Sequence, residues 1–413
     1  MEYGLIGEKL GHSYSKEIHN EIGSYDYILK EIPENELSDF MRKKDFKGIN
    51  VTIPYKQKVI PFLDSVEDNA RRIGAVNTVV NKGGKLIGYN TDFEGLKRLV
   101  QSTGISLKEK KVLILGTGGT SRTALAVAKS LKANETLIVS RSEKPGAITY
   151  EEANLHHADA LFIINTTPSG MFPDVAGCPL SLEGFEKLEG LVDVIYNPLR
   201  TNLVLSAQKK GIAAKGGLYM LVQQAIAAFE LFFDQKLDQN KADAIYKNLL
   251  VKKQNIVLIG MPGSGKTTLG LELSRIMKRE FYDTDSLIFE REEKSPSEII
   301  NGMGEEYFRN LESKVCAELS SVSNGIIATG GGAVLREENV RLLKHNGILF
   351  FLDRKLEKIR PTASRPLSNS IEKLKAVYKE RYPIYKSVAD YSIESNENVM
   401  DSANKVKELF CEN

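Results

Sequence analysis

An apolar strand that runs into a glycine turn and then a helix occurs twice in this chain. The two units are Lys111–Leu131 and Asn255–Met277, with their turns about 140 residues apart. Such a unit commits its surroundings to a parallel α/β sheet, because the helix must cross the sheet before the next strand can pair. The glycine spacings differ, so the two are not repeats of one element but the starts of two modules. Short apolar runs alternate with helical patterns through the rest. Tyr3–Gly7, Tyr25–Glu31, Gly48–Ile53, Val76–Asn81 and Lys85–Tyr89 read as strands, and Ser15–Ile22, Glu34–Lys43 and Val66–Arg72 as helices. Thr136–Val139, Ala160–Ile164 and Leu191–Val194 extend the strand series. Two helices follow, Leu218–Phe233 and Gln239–Leu250, and then a short polar step, Val251–Gln254. The boundary is placed there: residues 1–250 form one module and residues 255–413 the other.

Composition narrows the setting. Across 413 residues, 56 Lys and Arg nearly balance 54 Asp and Glu, a formal charge of +2, which excludes a broadly basic nucleic-acid binder. Cys178, Cys316 and Cys411 form no CxxC, which argues against a disulfide scaffold or a zinc site. The N-terminus has no signal-peptide pattern, and Gly217–Phe233 contains Gln223, Gln224 and Glu230, too polar for a membrane span. A soluble, multidomain protein of the cytoplasm is expected, without nucleic-acid or membrane partners; nothing here speaks to oligomeric state.

The second glycine loop is the more specific. Gly260-Met-Pro-Gly263-Ser264-Gly265-Lys266-Thr267 satisfies GxxxxGK[ST] between a strand and a helix. Backbone N–H groups freed by the glycines turn onto phosphate oxygens, Lys266 reaches the terminal phosphates, and Thr267 ligates Mg²⁺. Thr268 continues the cradle. Asp283 and Asp285 stand where a second strand ends, suited to Mg²⁺ and to an acceptor hydroxyl. Gly330, Gly331 and Gly332 follow the apolar run Gly325–Ala328 and would let a ligand approach bare backbone. Arg309, Arg365 and Arg381 are scattered, and by spacing alone could be surface charge.

The segments GMPGSGKTT (260–268), FYDTD (281–285), GEEYFRNLE (304–312), TGGGAV (329–334), Ser364-Arg365-Pro366 and ERYPIY (380–385) together resemble the shikimate kinase family, in the family's order. The resemblance implies that Asp285 contacts or deprotonates the attacked hydroxyl and that Arg309 and Arg381 hold the substrate carboxylate. It implies that Gly330, Gly331 and Gly332 line the pocket, that Arg365 closes over the phosphates from a lid, and that Asp283 acts near the Mg²⁺.

In the first module Gly116, Gly118 and Gly119 suit the turn beneath a dinucleotide pyrophosphate, with Ser121 at the third position of GxGxxG. About 20 residues on, where an NAD enzyme places an acid for the ribose, the sequence reads Ser140-Arg141-Ser142, then Lys144. With Arg122 in the loop itself, this favours the 2′-phosphate of NADP. Lys56 after one strand and Asp92 at the end of another are a pair able to pass a proton to a carbonyl oxygen as hydride reaches its carbon.

The segments GHSYS (11–15), NVTIPYK (50–56), GAVNT (74–78), YNTDFEGL (89–96), GTGGTSR (116–122), NTTP (165–168), DVIYNPLRT (193–201) and GLYMLVQQA (217–225) resemble the shikimate dehydrogenase family. The implied fold class is α/β: a substrate-binding α/β domain (1–100 with 217–250) and a Rossmann NADP domain (101–216), followed by the P-loop kinase α/β domain with a parallel sheet. The implied substrate contacts are Ser13, Ser15, Asn50, Thr52, Asn77, Asp92 and Gln224, with Lys56 and Asp92 catalytic. Tyr196 would lie near substrate and nicotinamide, and Gly217 and Met220 would border the nicotinamide. Only 18 residues separate Arg141 from Ala160, so a trimmed Rossmann half is expected. Shikimate is the product of one implied reaction and the substrate of the other, which predicts a fused enzyme using NADPH, ATP and Mg²⁺. Quinate preference, another P-loop kinase, and a nucleotide sensor without turnover are the competing readings.

Overall fold

The computed structural model describes residues 1–11, 14–360, 369–395 and 398–412. The chain divides into two compact units, Met1–Leu249 and Leu250–Asn413.

The first unit holds two sheets. Strands β1 (Tyr3–Gly7), β2 (Tyr27–Glu31), β3 (Gly48–Val51), β4 (Ser65–Val66), β5 (Thr78–Lys82) and β6 (Lys85–Tyr89) pair in the order β2-β1-β3-β5-β6-β4. β5 runs antiparallel to both β3 and β6. The second sheet is parallel throughout. It comprises β7 (Lys111–Leu115), β8 (Glu135–Ser140), β9 (Ile148–Thr149), β10 (Phe162–Asn165), β11 (Gly190–Asp193) and β12 (Ala213–Lys215), ordered β12-β11-β10-β7-β8-β9. β7 and β10 are covered on both faces, which is why they read as unbroken apolar runs rather than alternating ones. Strand order reverses between them, the switch point at which open α/β sheets bind ligands.

Helix Leu218–Phe233 returns from the second sheet and crosses helix Thr91–Gln101. The crossing is close because residue 95 is glycine: a Cβ there would meet the Met220 carbonyl oxygen at 2.7 Å. The same point would stand 3.0 Å from Gln224 Cβ, so Gln224 packs against the helix that carries Asp92 in its first turn.

The second unit is one parallel sheet of β13 (Asn255–Ile259), β14 (Glu280–Asp283), β15 (Gly325–Ala328), β16 (Gly347–Asp353) and β17 (Tyr391–Glu394), ordered β14-β15-β13-β16-β17. Every residue of β13 is buried, and the glycine loop leaves its carboxyl end at the centre of the sheet.

Three local expectations need adjustment. Helix Gln239–Leu250 continues to Lys253, absorbing most of the polar step. Arg279 holds it there, donating to the carbonyls of Val251 at 2.7 Å and Gln254 at 2.8 Å, groups a helix end otherwise leaves unpaired. The helix read at Val66–Arg72 starts instead at Asp68, because the Glu67 carboxylate caps the amides of Asn69 and Ala70 while Ser65–Val66 joins the sheet. The trimmed Rossmann half keeps both of its elements in short form, the two-residue β9 and a helix at Tyr150–His156 started by a Thr149–Glu152 capping box. No helix among the described residues is long and apolar enough to cross a membrane.

Candidate active sites

A cavity of about 580 Å³ opens in the first unit between its two sheets. Lys56, Asp92, Ser15, Asn50, Thr52, Asn77 and Gln224 line it, together with Tyr196, Gly217 and Met220. Ten of the residues singled out in sequence therefore meet in one place. Ser13 lies outside the described residues.

The chain is held so that this happens. The Lys56 carbonyl accepts from Val76 N–H at 2.7 Å, pinning the turn after β3. The Asn90 carboxamide caps helix Thr91–Gln101 through Phe93 N–H, which places Asp92 in the first turn, where the helix dipole favours a carboxylate. Lys56 Nζ then donates to Asp92 Oδ2 at 2.6 Å. Asn77 Oδ1 accepts from Thr91 N–H at 2.7 Å, joining the floor of the cavity to the same helix.

Behind the floor is a layer that sequence reading did not resolve. Tyr27 hydroxyl donates to Asn50 Oδ1 at 2.7 Å, and Asn50 Nδ2 donates to Thr78 Oγ1 at 3.0 Å, so the orientation of the Asn50 amide is fixed. The His19 ring stacks on Tyr27 at 3.8 Å and bonds the Tyr25 hydroxyl. Burial drives His19 down to about 3, so it is a neutral structural ring. Tyr14 adds an aromatic wall, its ring 5.4 Å from that of Tyr196.

The dinucleotide side follows the glycine loop. Gly116 has φ 105°, open only to glycine at low cost, and Gly118 and Gly119 face free space where a ligand's phosphates would lie. Ser121 is buried and its hydroxyl donates to the Gly118 carbonyl at 2.6 Å, so the third motif position braces the loop. Arg141 is exposed just after β8, while Ser140 is buried. Lys144 Nζ reaches back to Thr117 Oγ1 at 3.0 Å. The Arg122 guanidinium lies against Gly74. Open backbone amides beside Arg141 and Lys144 suit a dinucleotide carrying an extra phosphate. Asp193, at the end of β11, is buried and pushed up to about 6 by desolvation; it accepts from Asn165, Thr201 and the Ile195 amide and shapes the loop that carries Tyr196.

In the second unit a cavity of about 620 Å³ gathers Gly263, Gly265, Lys266, Thr267, Thr268, Asp283, Asp285, Arg309, Gly330, Gly331, Gly332 and Arg381. Gly260 and Ser264 belong to the same loop but lie behind it: Ser264 is buried, and the Gly260 and Met261 carbonyls accept from Lys266 Nζ at 2.9 and 3.0 Å. Thr267 Oγ1 donates to Asp283 Oδ2 at 2.8 Å, while Asp283 Oδ1 caps the next helix. That hydroxyl–carboxylate pair beside the phosphate loop suits a nucleotide-borne Mg²⁺; no group of three metal-ligating side chains occurs among the described residues. Arg365 lies outside the described residues.

The acceptor side is charged and buried. Arg309 is clamped by Glu312 at 2.7 Å and Glu305 at 2.8 Å. Asp285 Oδ1, Glu312 Oε1 and Arg381 Nε are buried with no hydrogen-bond partner among the described residues, and all three residues line the cavity. Burial, then repulsion from Asp283 and Glu312, pushes Asp285 up to about 6 against the pull of Lys266 and Arg309. Glu312 is likewise raised by burial. Glu312 was not singled out in sequence, although its i+3 spacing from Arg309 on a helix was a readable signal.

The first unit is thus a dinucleotide-dependent oxidoreductase by fold and site, and the second a P-loop phosphotransferase. A sequence model of the shikimate dehydrogenase substrate-binding domain matches residues 5–79, and one of shikimate kinase matches residues 262–410. The shikimate dehydrogenase (NADP⁺) of Clostridium perfringens is 35% identical over 264 residues, covering 60% of this chain and 97% of that protein. Among solved structures, a chorismate mutase/shikimate 5-dehydrogenase fusion from Clostridium acetobutylicum is 37% identical with a TM-score of 0.57, covering 60% of this chain and 96% of that one. Shikimate 5-dehydrogenase from Thermus thermophilus, solved with NADP(H) and shikimate, is 28% identical with a TM-score of 0.54, covering 60% of this chain and 99% of that one. The chain belongs to the shikimate dehydrogenase family and carries a shikimate kinase domain on the same polypeptide.

Proposed function

We propose that the first cavity reduces 3-dehydroshikimate to shikimate with NADPH, and that the second transfers the γ-phosphoryl group of MgATP to the shikimate 3-hydroxyl. The observation that carries this reading is the Lys56–Asp92 ion pair, set in a cavity that Tyr196, Gly217 and Met220 also line. Bound NADPH supplies the hydride and MgATP the phosphoryl group. Lys56 gives a proton to the carbonyl oxygen as its carbon is reduced, and Asp92 orients the ammonium and contacts a substrate hydroxyl. Ser15, Asn50, Thr52, Asn77 and Gln224 hold the remaining polar groups of the ring, with Ser13 assigned the same role by its sequence motif. In the second cavity Asp285 takes the proton of the attacked hydroxyl. Arg309 and Arg381 bind the carboxylate through planar guanidinium forks. Lys266, with Arg365 from the lid segment, neutralises charge on the transferring group. Both reactions belong in the cytoplasm, where NADPH and ATP are at hand and Cys178, Cys316 and Cys411 remain free thiols.

The test is a two-step assay on the full chain. NADPH oxidation is followed with 3-dehydroshikimate, then ADP release after MgATP is added. Two silent steps from folded protein would leave only a nucleotide sensor. A higher kcat/KM with quinate than with shikimate would reassign the first cavity to that acid.

A further inference from the structure

Among the described residues lining the second cavity, Arg354 is the one guanidinium that the reaction as described does not use. It leaves the carboxyl end of β16, the strand next to β13 and its phosphate loop, where parallel sheets present ligand-binding groups. Its Nη1 lies 3.8 Å from the point a Cβ on Gly265 would occupy, so the side chain lies against the loop at the residue before Lys266. Its Nε is buried and finds no hydrogen-bond acceptor among the described residues. An arginine N–H withdrawn from water without an acceptor is costly, and an anion bound beside it removes that cost.

Two anions enter this cavity under the proposed function, and position separates them. The acceptor carboxylate belongs to the side built from Gly330 and Gly332, where Asp285, Glu312 and Arg309 crowd the glycines. Arg354 is placed instead against Gly265, within the loop whose amides hold phosphate. We infer that Arg354 is a nucleotide-binding residue that contacts the ATP and ADP phosphates from a fixed position on the sheet, independently of the lid segment. The inference rests on the kinase reading for its substrate pair but not for its nucleotide.

The experiment compares Arg354→Met, Arg354→Gln and Arg354→Lys in the full chain. Its readouts are calorimetric binding of MgADP, KM for ATP and for shikimate, and reduction of 3-dehydroshikimate as a check that the polypeptide is intact. Loss of a charge-assisted contact predicts about tenfold or more weaker MgADP binding and a matching rise in KM for ATP in the Met and Gln variants, with partial recovery in Arg354→Lys and shikimate KM changed by less than about twofold. Unchanged MgADP affinity in the folded Gln variant would overturn the assignment, as would a selective rise in shikimate KM. If the wild-type chain binds MgADP but does not phosphorylate shikimate, the kinase reading fails while the Arg354 assignment is still decided by the binding data.

Discussion

Lys56 Nζ lies 2.6 Å from Asp92 Oδ2, although one residue ends a strand–turn segment and the other opens a helix 36 positions later. Both side chains are partly exposed, 33% and 19%, so the pair adds about 1 kcal/mol or less to stability. Its value is in placing an ammonium proton at the cavity. Lys56→Ala should therefore lower kcat for reduction by about 10²–10⁴ while the melting transition stays in place. Phosphorylation of added shikimate by the same variant should be unchanged. Loss of both activities would show instead that the substitution damages the whole chain.

As the proposed base, Asp285 would tie phosphoryl transfer to pH. Its folded-state pKa of about 6 stands above the ordinary 3.8, chiefly through burial. A base must be ionised, so kcat/KM for shikimate should rise as pH increases through about 6. Stability runs the other way. Between 3.8 and about 6 the folded unit keeps a proton that the unfolded chain has released, so this group's contribution is full below 3.8 and is lost as pH rises through about 6. Asp285→Asn should abolish phosphoryl transfer, yet relieve a burial cost on the order of 2–3 kcal/mol at neutral pH. The readout is the unfolding transition that MgATP shifts, compared at pH 7 and pH 4; an equal change at both would mean that ionisation is not the cause.

Gly332 shows how little space the acceptor side has. A Cβ there would stand 1.7 Å from Arg309 Nη1, and Arg309 cannot retreat because Glu312 and Glu305 hold it on two sides. Gly332→Ala should raise KM for shikimate by about tenfold or more through the displaced guanidinium, with little effect on KM for ATP. Gly302→Ala is the control: its Cβ would meet nothing within 4 Å, and it sits in helix Pro296–Met303. That variant should keep full kinase activity.

What sequence could show divides along the same line. The glycine loops were legible because their chemistry is written in consecutive residues, and Lys56, Asp92 and Asp285 because they sit in dense motifs, whereas Arg309 and Arg381, scattered in sequence, were singled out only through the family resemblance. The end of helix Gln239–Lys253 was not, since it depends on Arg279 reaching carbonyls 25 and 28 positions back. The Tyr27–Asn50 bond was hidden for the same reason: a tyrosine in an apolar run reads as core, and only the neighbouring strand reveals what its hydroxyl holds. Arg354 carries no motif at all. Its significance comes from β16 lying beside β13, a fact of strand order that residue spacing does not encode.

Arg141 was readable as the basic residue after β8, but Lys144 gains its meaning from the 3.0 Å bond that brings its ammonium to Thr117, inside the glycine loop. Under the proposed function the two would supply positive charge to the 2′-phosphate that distinguishes NADPH from NADH. Each charge-assisted phosphate contact is worth about tenfold in affinity, so Arg141→Ala with Lys144→Ala should raise KM for NADPH by about 10–100-fold, Lys144→Ala alone by less. KM for NADH should hardly move, because NADH has no phosphate to lose contact with. Steady-state kinetics with both coenzymes separate this from simple damage: if KM for NADH rises in step with that for NADPH, Lys144 braces the loop and does not read the phosphate.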